Sequence, residues 1–343
     1  MLEVSDRIPD KDSAKQLLSV MISTIFTLRP QIVPVLEEAY SPNRRRPRFD
    51  PFLLLVVAIF RSTTWSYREI CRELTREGDL FRLIGLSKFP SPQLLSLFVR
   101  RLGYERLQRI SVIIIREIQK FWPDFGQVIS IDGTTVRAYA RNDKGLRSSS
   151  DPDATWGYKE HNKKKEPKWM FGYRPIIVTE AQYEVPMTGD VTSAKDNESP
   201  FLIPLLKLTR EIGIPLDVVV ADAMYDSLLN LHVAILFHMR PVIVLNPRSS
   251  KTAKATGKRK SDWILPITRN SDEWKRFLRM RNASEHVNKS LKFDVGLNTL
   301  TLRGLARVKA FFWLCMLAKQ LMAFSAARIG RPDLADNVTV WRH

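Results

Sequence analysis

The chain has 343 residues, 44% of them hydrophobic and 26% charged, so it is long enough and apolar enough to bury a substantial core. Its formal net charge at pH 7 is +18. Such an excess of Lys and Arg favours an anionic polymer such as nucleic acid as the partner, because clustered cations displace the counterions of phosphates. The plainer alternative is a soluble protein with a basic surface. Two cysteines exclude a disulfide framework and show no zinc-ligand spacing.

Two segments bear on localisation. Residues 1–12 lack the pattern of a signal peptide, which predicts a cytoplasmic, nucleoid-associated protein. The most apolar late segment, 308–327, includes Lys309 and Lys319, so we expect it to be a core helix. We therefore expect no membrane contact and no disulfide partner.

Residues 1–122 are predicted to form a helical DNA-binding domain. Apolar residues recur at helical spacing over 13–40, and again from Asp50, where an N-cap residue precedes a proline. A further helix is expected from residue 66. Short helices of this kind suit a helix-turn-helix module, although any small helical bundle gives a similar pattern.

Basic residues in this region are candidate DNA contacts. They are Arg44, Arg45, Arg46, Arg100 and Arg101. The first three form a linker that either follows a phosphate backbone or is a solvated loop. The last two belong to a helix that starts at Ser91 and is followed by another over 105–121. The segment 122–126 breaks that helix and marks the predicted domain boundary.

A short apolar run, 128–131, ends in Asp132, followed by Gly133 and a second β-rich run over 135–139. This pattern predicts two paired strands. An ionised carboxylate on a buried strand is costly unless it is paired. Asp132 is therefore either a satisfied turn residue or a ligand for a cation.

Strands and helices alternate after this point. Strands are expected over 169–178, 184–192, 216–221 and 241–245, and helices over 199–212 and 228–239. Three consecutive valines indicate a strand buried on both faces, and Asp222 follows at its carboxyl end, where open α/β sheets hold their ligands. The pattern predicts an α/β fold.

The last candidate acid lies on a helix. Residues 263–265 are expected to form a short strand, and Asp272 to start a helix that continues through Lys292. At 3.6 residues per turn, Arg281, Glu285 and Lys292 share one face of that helix. The alternative is a solvated face with an ion pair. If the three acids meet, carboxylate oxygens suit a hard cation such as Mg²⁺.

Three motifs, in this order, resemble the DDE transposases of bacterial and archaeal insertion sequences. They are Asp132-Gly133-Thr134, Asp222-Ala223-Met224-Tyr225-Asp226 and Arg281…Glu285…Lys292. The family has a strand-borne Asp-Gly-Thr, a strand-end Asp with a Tyr-Asp turn, and a helix reading Tyr-x2-Arg-x3-Glu-x6-Lys. Leu278 stands where the family has Tyr. The resemblance covers most of residues 45 to 325.

The resemblance implies an RNase H-like α/β fold, in which helices flank a mixed five-stranded sheet behind an all-α N-terminal domain. It implies that Asp132, Asp222 and Glu285 are catalytic and bind two Mg²⁺ ions, for which Mn²⁺ can substitute. The expected DNA contacts of this part are Arg281, Lys289 and Lys292, with Lys163, Lys164 and Lys165 in a long basic loop.

The function implied is that of a transposase. It would bind the terminal inverted repeats of its element, cleave DNA by two-metal phosphodiester hydrolysis and join the 3′-OH ends to target DNA. The expected partner is double-stranded DNA, on which a homodimer assembles. The predicted domains are 1–122, 123–328 with a short insertion at about 246–268, and a tail over 329–343.

Three alternatives remain beside this reading. The first is an RNase H-like metal-dependent nuclease that does not join strands. The second is a catalytically inactive, transposase-derived DNA-binding protein. The third is a basic scaffold in which the acids are structural.

Overall fold

A computed structural model describes residues 11–39, 49–61, 84–86, 88, 90–140, 150–159, 168–246 and 260–337. Its α-helices are α1 Lys11–Thr27, α2 Arg29–Glu37, α3 Pro51–Arg61, α4 Pro92–Phe121, α5 Leu202–Glu211, α6 Leu228–Leu236, α7 Asp272–Arg279, α8 Asn282–Lys289 and α9 Leu305–Arg328. Its strands are β1 Val128–Gly133, β2 Val136–Arg137, β3 Thr155–Lys159, β4 Lys168–Glu180, β5 Val185–Ser193, β6 Val218–Ala221 and β7 Arg240–Ile243.

The chain divides into two compact units. The helical unit contains residues 1–121, 138–153 and 290–343, and the sheet unit contains residues 122–137 and 154–289. Each unit therefore joins segments that are distant in the sequence. The linear domain limits expected from the sequence stay a prediction.

The helical unit starts with two helices where the sequence predicted one over 13–40. Within this stretch, α1 and α2 meet at a bend of 68°. Pro30 lies in the first turn of α2. A proline ring fits there but not inside a continuous helix, which explains the break. As expected, Asp50 caps α3, because its Oδ1 accepts the N–H of Phe52 at 2.8 Å.

Two further helices of this unit follow the predictions. Gly103 interrupts α4 with a φ of 75°, which separates the expected helix over 93–102 from the one over 105–121. The late apolar segment forms α9, nearly all of whose residues are buried. By length and hydropathy α9 could cross a membrane, but its apolar stretch is wholly buried inside the protein. It is a core helix, as the sequence predicted.

The sheet unit confirms the RNase H-like α/β class. Its main strand order is β5-β4-β1-β6-β7, in which β5, β4 and β1 are antiparallel and β1, β6 and β7 are parallel. Helices α5 to α8 pack against these strands. The expected five strands are joined by two shorter ones, since β2 and β3 both pair with the first half of β4.

Three local expectations in this unit are wrong. The run after Asp132 does not pair with β1, because β2 pairs with β4 beyond the end of β1. Residues 263–265 fall in and directly after a 3₁₀ turn, Lys260–Ile264, and form no strand. The helix expected from Asp272 to Lys292 breaks after α7, restarts as α8 and continues as a π-helical turn, Ser290–Asp294.

Candidate active site

Asp132 and Asp222 lie side by side at the edge of the sheet. In the parallel pair of β1 and β6, Ile131 is opposite Ala221, so the two aspartates are the next residues along neighbouring strands. Such strands are about 4.8 Å apart. Burial selects this arrangement, because the apolar runs before both acids form the centre of the sheet and leave their carboxyl ends at its edge.

Helix α8 lies over β1 and is fixed by side-chain hydrogen bonds. Ser130 donates its hydroxyl hydrogen to Ser284 at 3.0 Å. One turn further along α8, Asn288 Nδ2 donates to Asp132 Oδ2 at 2.8 Å. These bonds align the helix with the strand that carries the first acid.

Glu285 is the neighbour of Ser284 on α8, and its side chain is 53% exposed. It forms an ion pair with Arg281, at 2.5 Å between Oε1 and Nη2. Asp222 is anchored differently. Its Oδ1 accepts the backbone N–H of Met224 at 2.7 Å, which caps the short 3₁₀ turn after β6.

Negative charge accumulates around Asp132. The pKa of Asp132 is raised to about 7, mainly by burial and then by the carboxylates of Glu198, Asp222 and Glu285, and Arg281 opposes this shift. The acid therefore lies where its ionised form is poorly compensated by the protein. A perturbed carboxyl group at the end of a strand is typical of a functional site.

The donor chemistry fits a hard divalent cation. Asp132, Asp222 and Glu285 offer carboxylate oxygens, which Mg²⁺ prefers. Asn288 Oδ1 adds a buried oxygen that has no hydrogen-bond partner among the described residues. Within the described part of the chain, no three His, Cys, Asp or Glu side chains are already gathered around one point. Asp132 and Asp222 are thus neighbours on adjacent strands, and Glu285 is turned to Arg281.

Two other acids near the second motif have structural partners. Asp226 is buried and pairs with Arg269 at 3.1 Å. Glu273 is exposed and pairs with Arg240 at 2.8 Å. His286, beside Glu285 on α8, is exposed and lies 2.7 Å from Glu184, which is consistent with a surface residue.

The candidate DNA contacts have different positions. Lys289 is exposed on α8. Lys292 lies beyond α8 in the π-helical turn, so the regular helix face expected to join it to Glu285 is interrupted. Arg100 and Arg101 are exposed on α4. The remaining ones, Arg44, Arg45, Arg46, Lys163, Lys164 and Lys165, lie outside the described residues.

The sequence reasoning missed two residues that contact the acids or their strand ends. Asn288 was detectable, because it lies three residues after Glu285 and four after Ser284 on the same helix. Glu198 was not, because its position beside β1 depends on the order of strands in the sheet. Leu278, where the family has Tyr, packs against the core beneath β6 and β7 and offers no aromatic contact.

These features define an RNase H-like α/β domain with two aspartates at the edge of its mixed sheet. Residues 123–321, more than half of the chain, match the family described as Transposase DDE domain. The chain belongs to this family. It matches no curated protein.

Solved transposase structures are distantly similar. The piggyBac transposase synaptic complex with hairpin DNA has 10% identity, covers 98% of this chain and 82% of that one, and gives a TM-score of 0.43. The Drosophila P element transposase strand transfer complex has 12% identity, with 93% and 70% covered and a TM-score of 0.28. The Mos1 transposase paired-end complex has 9% identity, with 75% and 82% covered and a TM-score of 0.21.

Proposed function

We propose that this chain is an insertion-sequence transposase that binds the terminal inverted repeats of its own element. It cleaves DNA there by metal-assisted phosphodiester hydrolysis and joins the 3′-OH ends to target DNA. Two copies of the chain hold the two ends. The protein acts in the cytoplasm, on the nucleoid.

One observation carries the proposal. Asp132 and Asp222 occupy neighbouring positions on parallel strands, and the helix that bears Glu285 is hydrogen-bonded to Asp132 through Asn288. Two acids from distant parts of the chain are therefore neighbours at one edge of a sheet, and the helix that carries the third packs over the first of these strands. This supports the proposal of a carboxylate triad.

The chain's own residues prepare the site. Asp132, Asp222 and Glu285 would hold two Mg²⁺ ions, or Mn²⁺, which supply positive charge to an attacking oxygen and to the leaving oxygen of a phosphodiester. Asn288 fixes the orientation of the Asp132 carboxylate through its hydrogen bond. The Met224 N–H fixes that of Asp222.

Arg281 has two possible anionic partners. It holds Glu285 in the structure, and its guanidinium is 27% exposed. A DNA phosphate offers the same bidentate acceptor geometry as a carboxylate. On DNA binding, Arg281 moves to a phosphate and Glu285 turns towards Asp132. The exposed Lys289 and the net charge of +18 favour the approach of the DNA backbone.

A cleavage and strand-joining assay tests the proposal. Labelled DNA carrying the element's ends is incubated with Mg²⁺ or Mn²⁺ and with wild type, Asp132→Ala or Glu285→Ala. Glu211→Gln, which changes an exposed acid at the end of α5, is the matched control. We expect cut and joined products from wild type and the control only.

Other outcomes identify the alternatives. Cutting without joining indicates a nuclease. Specific DNA binding without cutting, with either metal, indicates a DNA-binding derivative with structural acids. Equal cutting by wild type and Asp132→Ala would remove the triad from the mechanism.

A further inference from the structure

Glu198 is a fourth acid at this edge of the sheet. It lies just before the 3₁₀ turn Ser199–Phe201, but its side chain does not cap that turn. Its side chain is only 12% exposed and forms an ion pair with the equally buried Arg174, at 2.6 Å between Oε1 and Nη1. Arg174 is held in turn, since its Nη2 donates to the Ala194 carbonyl at 3.1 Å.

The same carboxyl group contacts the segments that follow both strand-end aspartates. Tyr225, three residues after Asp222, is fully buried and donates its hydroxyl hydrogen to Glu198 Oε2 at 3.3 Å. Gly133, the residue after Asp132, lies against the carboxyl group so closely that a Cβ at this position would overlap its carbon and both oxygens. Glu198 is therefore packed between the two strand ends.

A simple stabilising ion pair does not explain this position. Burying a third carboxyl group beside Asp132 and Asp222 is unfavourable, because like charges oppose each other in a region of low dielectric. Glu198 has the largest effect of the neighbouring charges that raise the pKa of Asp132. The acid also requires glycine at position 133, which constrains β1 beyond what an ion pair needs.

We propose that Glu198 is a positioning residue for the cleavage site, which holds the strand ends bearing Asp132 and Asp222 at the separation that a divalent cation requires. Arg174 pairs with the Glu198 carboxyl group on one side. On the other side, Tyr225 donates a hydrogen bond to it and Gly133 packs against it. This inference rests on the proposed function, because it concerns the same cation site.

Mn²⁺ binding, independent of cleavage, tests the inference. Full-length wild type, Glu198→Gln and Glu180→Gln are titrated with Mn²⁺ while EPR reports the free ion, and Tm is measured on the same samples without metal. Glu180 is the matched control, because it is a fully buried acid on β4 of the same sheet unit. Its carboxylate accepts backbone N–H groups of Gln182 and Tyr183.

We expect Glu198→Gln to raise the Mn²⁺ dissociation constant about tenfold or more, as the loss of residues that orient metal ligands does. Glu180→Gln should leave the dissociation constant unchanged. Unchanged Mn²⁺ binding by Glu198→Gln would overturn this inference alone and make the Arg174 pair purely structural. Absence of Mn²⁺ binding by wild type, with or without DNA, would overturn the proposed function and the inference with it.

Gly133→Ala tests whether the position of Glu198, and not only its charge, affects Mn²⁺ binding. The substitution displaces the Glu198 carboxyl group but alters no ionisable residue. We expect it to weaken Mn²⁺ binding about as much as Glu198→Gln. Glu198→Asp, which keeps the charge but shortens the reach, should recover only part of the affinity. Wild-type affinity in both variants would show that charge alone matters and would contradict a positioning role.

Discussion

Two acids of the sheet unit, Asp132 and Glu180, both have a raised pKa but lie in different surroundings. Burial raises the pKa of both Asp132 and Glu180 to about 7. They lie on the neighbouring strands β1 and β4, and Glu180 pairs in register with Ile129, three residues before Asp132. The carboxylate of Glu180 accepts hydrogen bonds from the backbone N–H groups of Gln182 at 3.1 Å and of Tyr183 at 2.7 Å.

The surroundings of Asp132 contain fewer hydrogen-bond donors and more negative charge. Among the described residues, one hydrogen bond, from Asn288, reaches its carboxylate, and its charged neighbours are mostly other acids, Glu198, Asp222 and Glu285. A raised pKa therefore does not by itself identify a functional carboxyl group. The surroundings separate the two: backbone N–H groups bind one carboxylate oxygen of Glu180, whereas the charged neighbours of Asp132 are mostly other acids.

The largest expected effect is the difference in DNA cleavage rate between a variant that loses an acid at the strand ends and a variant that loses Glu180. Asp222→Asn deletes a carboxylate beside Asp132, and we expect DNA cleavage to fall about a thousandfold or more, since a metal's charge stabilisation is worth several kcal/mol. Glu180→Gln should keep the cleavage rate within about threefold. Single-turnover cleavage and thermal unfolding are measured for both variants. A loss of cleavage in Glu180→Gln at a temperature where it is folded would break the comparison.

The pH dependence of stability should show the next effect. A carboxyl group with a pKa of about 7 in the folded state and an ordinary pKa near 4 in the unfolded state holds an extra proton in the folded state between these two pH values. The contribution of this group to the free energy of unfolding is complete below pH 4 and is lost as the pH rises to about 7. Both acids should therefore destabilise the metal-free protein over this window, by up to a few kcal/mol each. Urea unfolding at pH 4, 5.5 and 7 measures this.

Addition of Mn²⁺ should distinguish the contributions of Asp132 and Glu180 to this pH dependence. An ion bound to the ionised form of Asp132 restores stability at pH 7, because it stabilises the folded state that binds it. We expect Mn²⁺ to stabilise wild type and Glu180→Gln, and to have little effect on Asp132→Asn. Equal stabilisation of Asp132→Asn would place the cation elsewhere in the protein.

We expect the third largest effect from loss of the hydrogen bond between Asn288 and Asp132. Asn288→Ala removes a side chain that orients the Asp132 carboxylate by a hydrogen bond, at 2.8 Å. We expect the cleavage rate to drop about 10- to 100-fold. Asn282→Ala, at the exposed start of the same helix, is the control. Identical rates for the two variants would make the Asn288 bond incidental.

The difference between the two acids also limits what the sequence can predict. Asp132 and Asp222 were predictable because each ends a run of buried apolar residues, and burial fixes where such a strand leaves the sheet. Glu285 followed from spacing in the helix motif. Glu198 was not predictable, because it reaches β1 only through a sheet order that places β4 between β1 and β5.

Local patterns also misplaced two connections. β-branched residues predicted that the run after Asp132 is a strand but not that its partner is β4, because period and propensity do not encode the partner. The break between α7 and α8 falls at Met280 and Arg281, which are ordinary helix residues. Packing of α7 on β6 and β7, and of α8 on β1, requires the change of direction.

The smallest effect concerns how α8 is attached to β1. Ser130 donates to Ser284 at 3.0 Å, and Ser284 donates to the Arg281 carbonyl at 2.8 Å. Ser284→Ala should cost only about 1 kcal/mol, because Ser130 keeps the Arg281 carbonyl as an alternative acceptor at 3.5 Å. Ser130→Ala removes the same bond from the strand, so a double-mutant cycle by urea unfolding isolates the pair. Additive costs would show that this bond does not fasten the helix, and that Asn288 and apolar packing hold Glu285 over the strand.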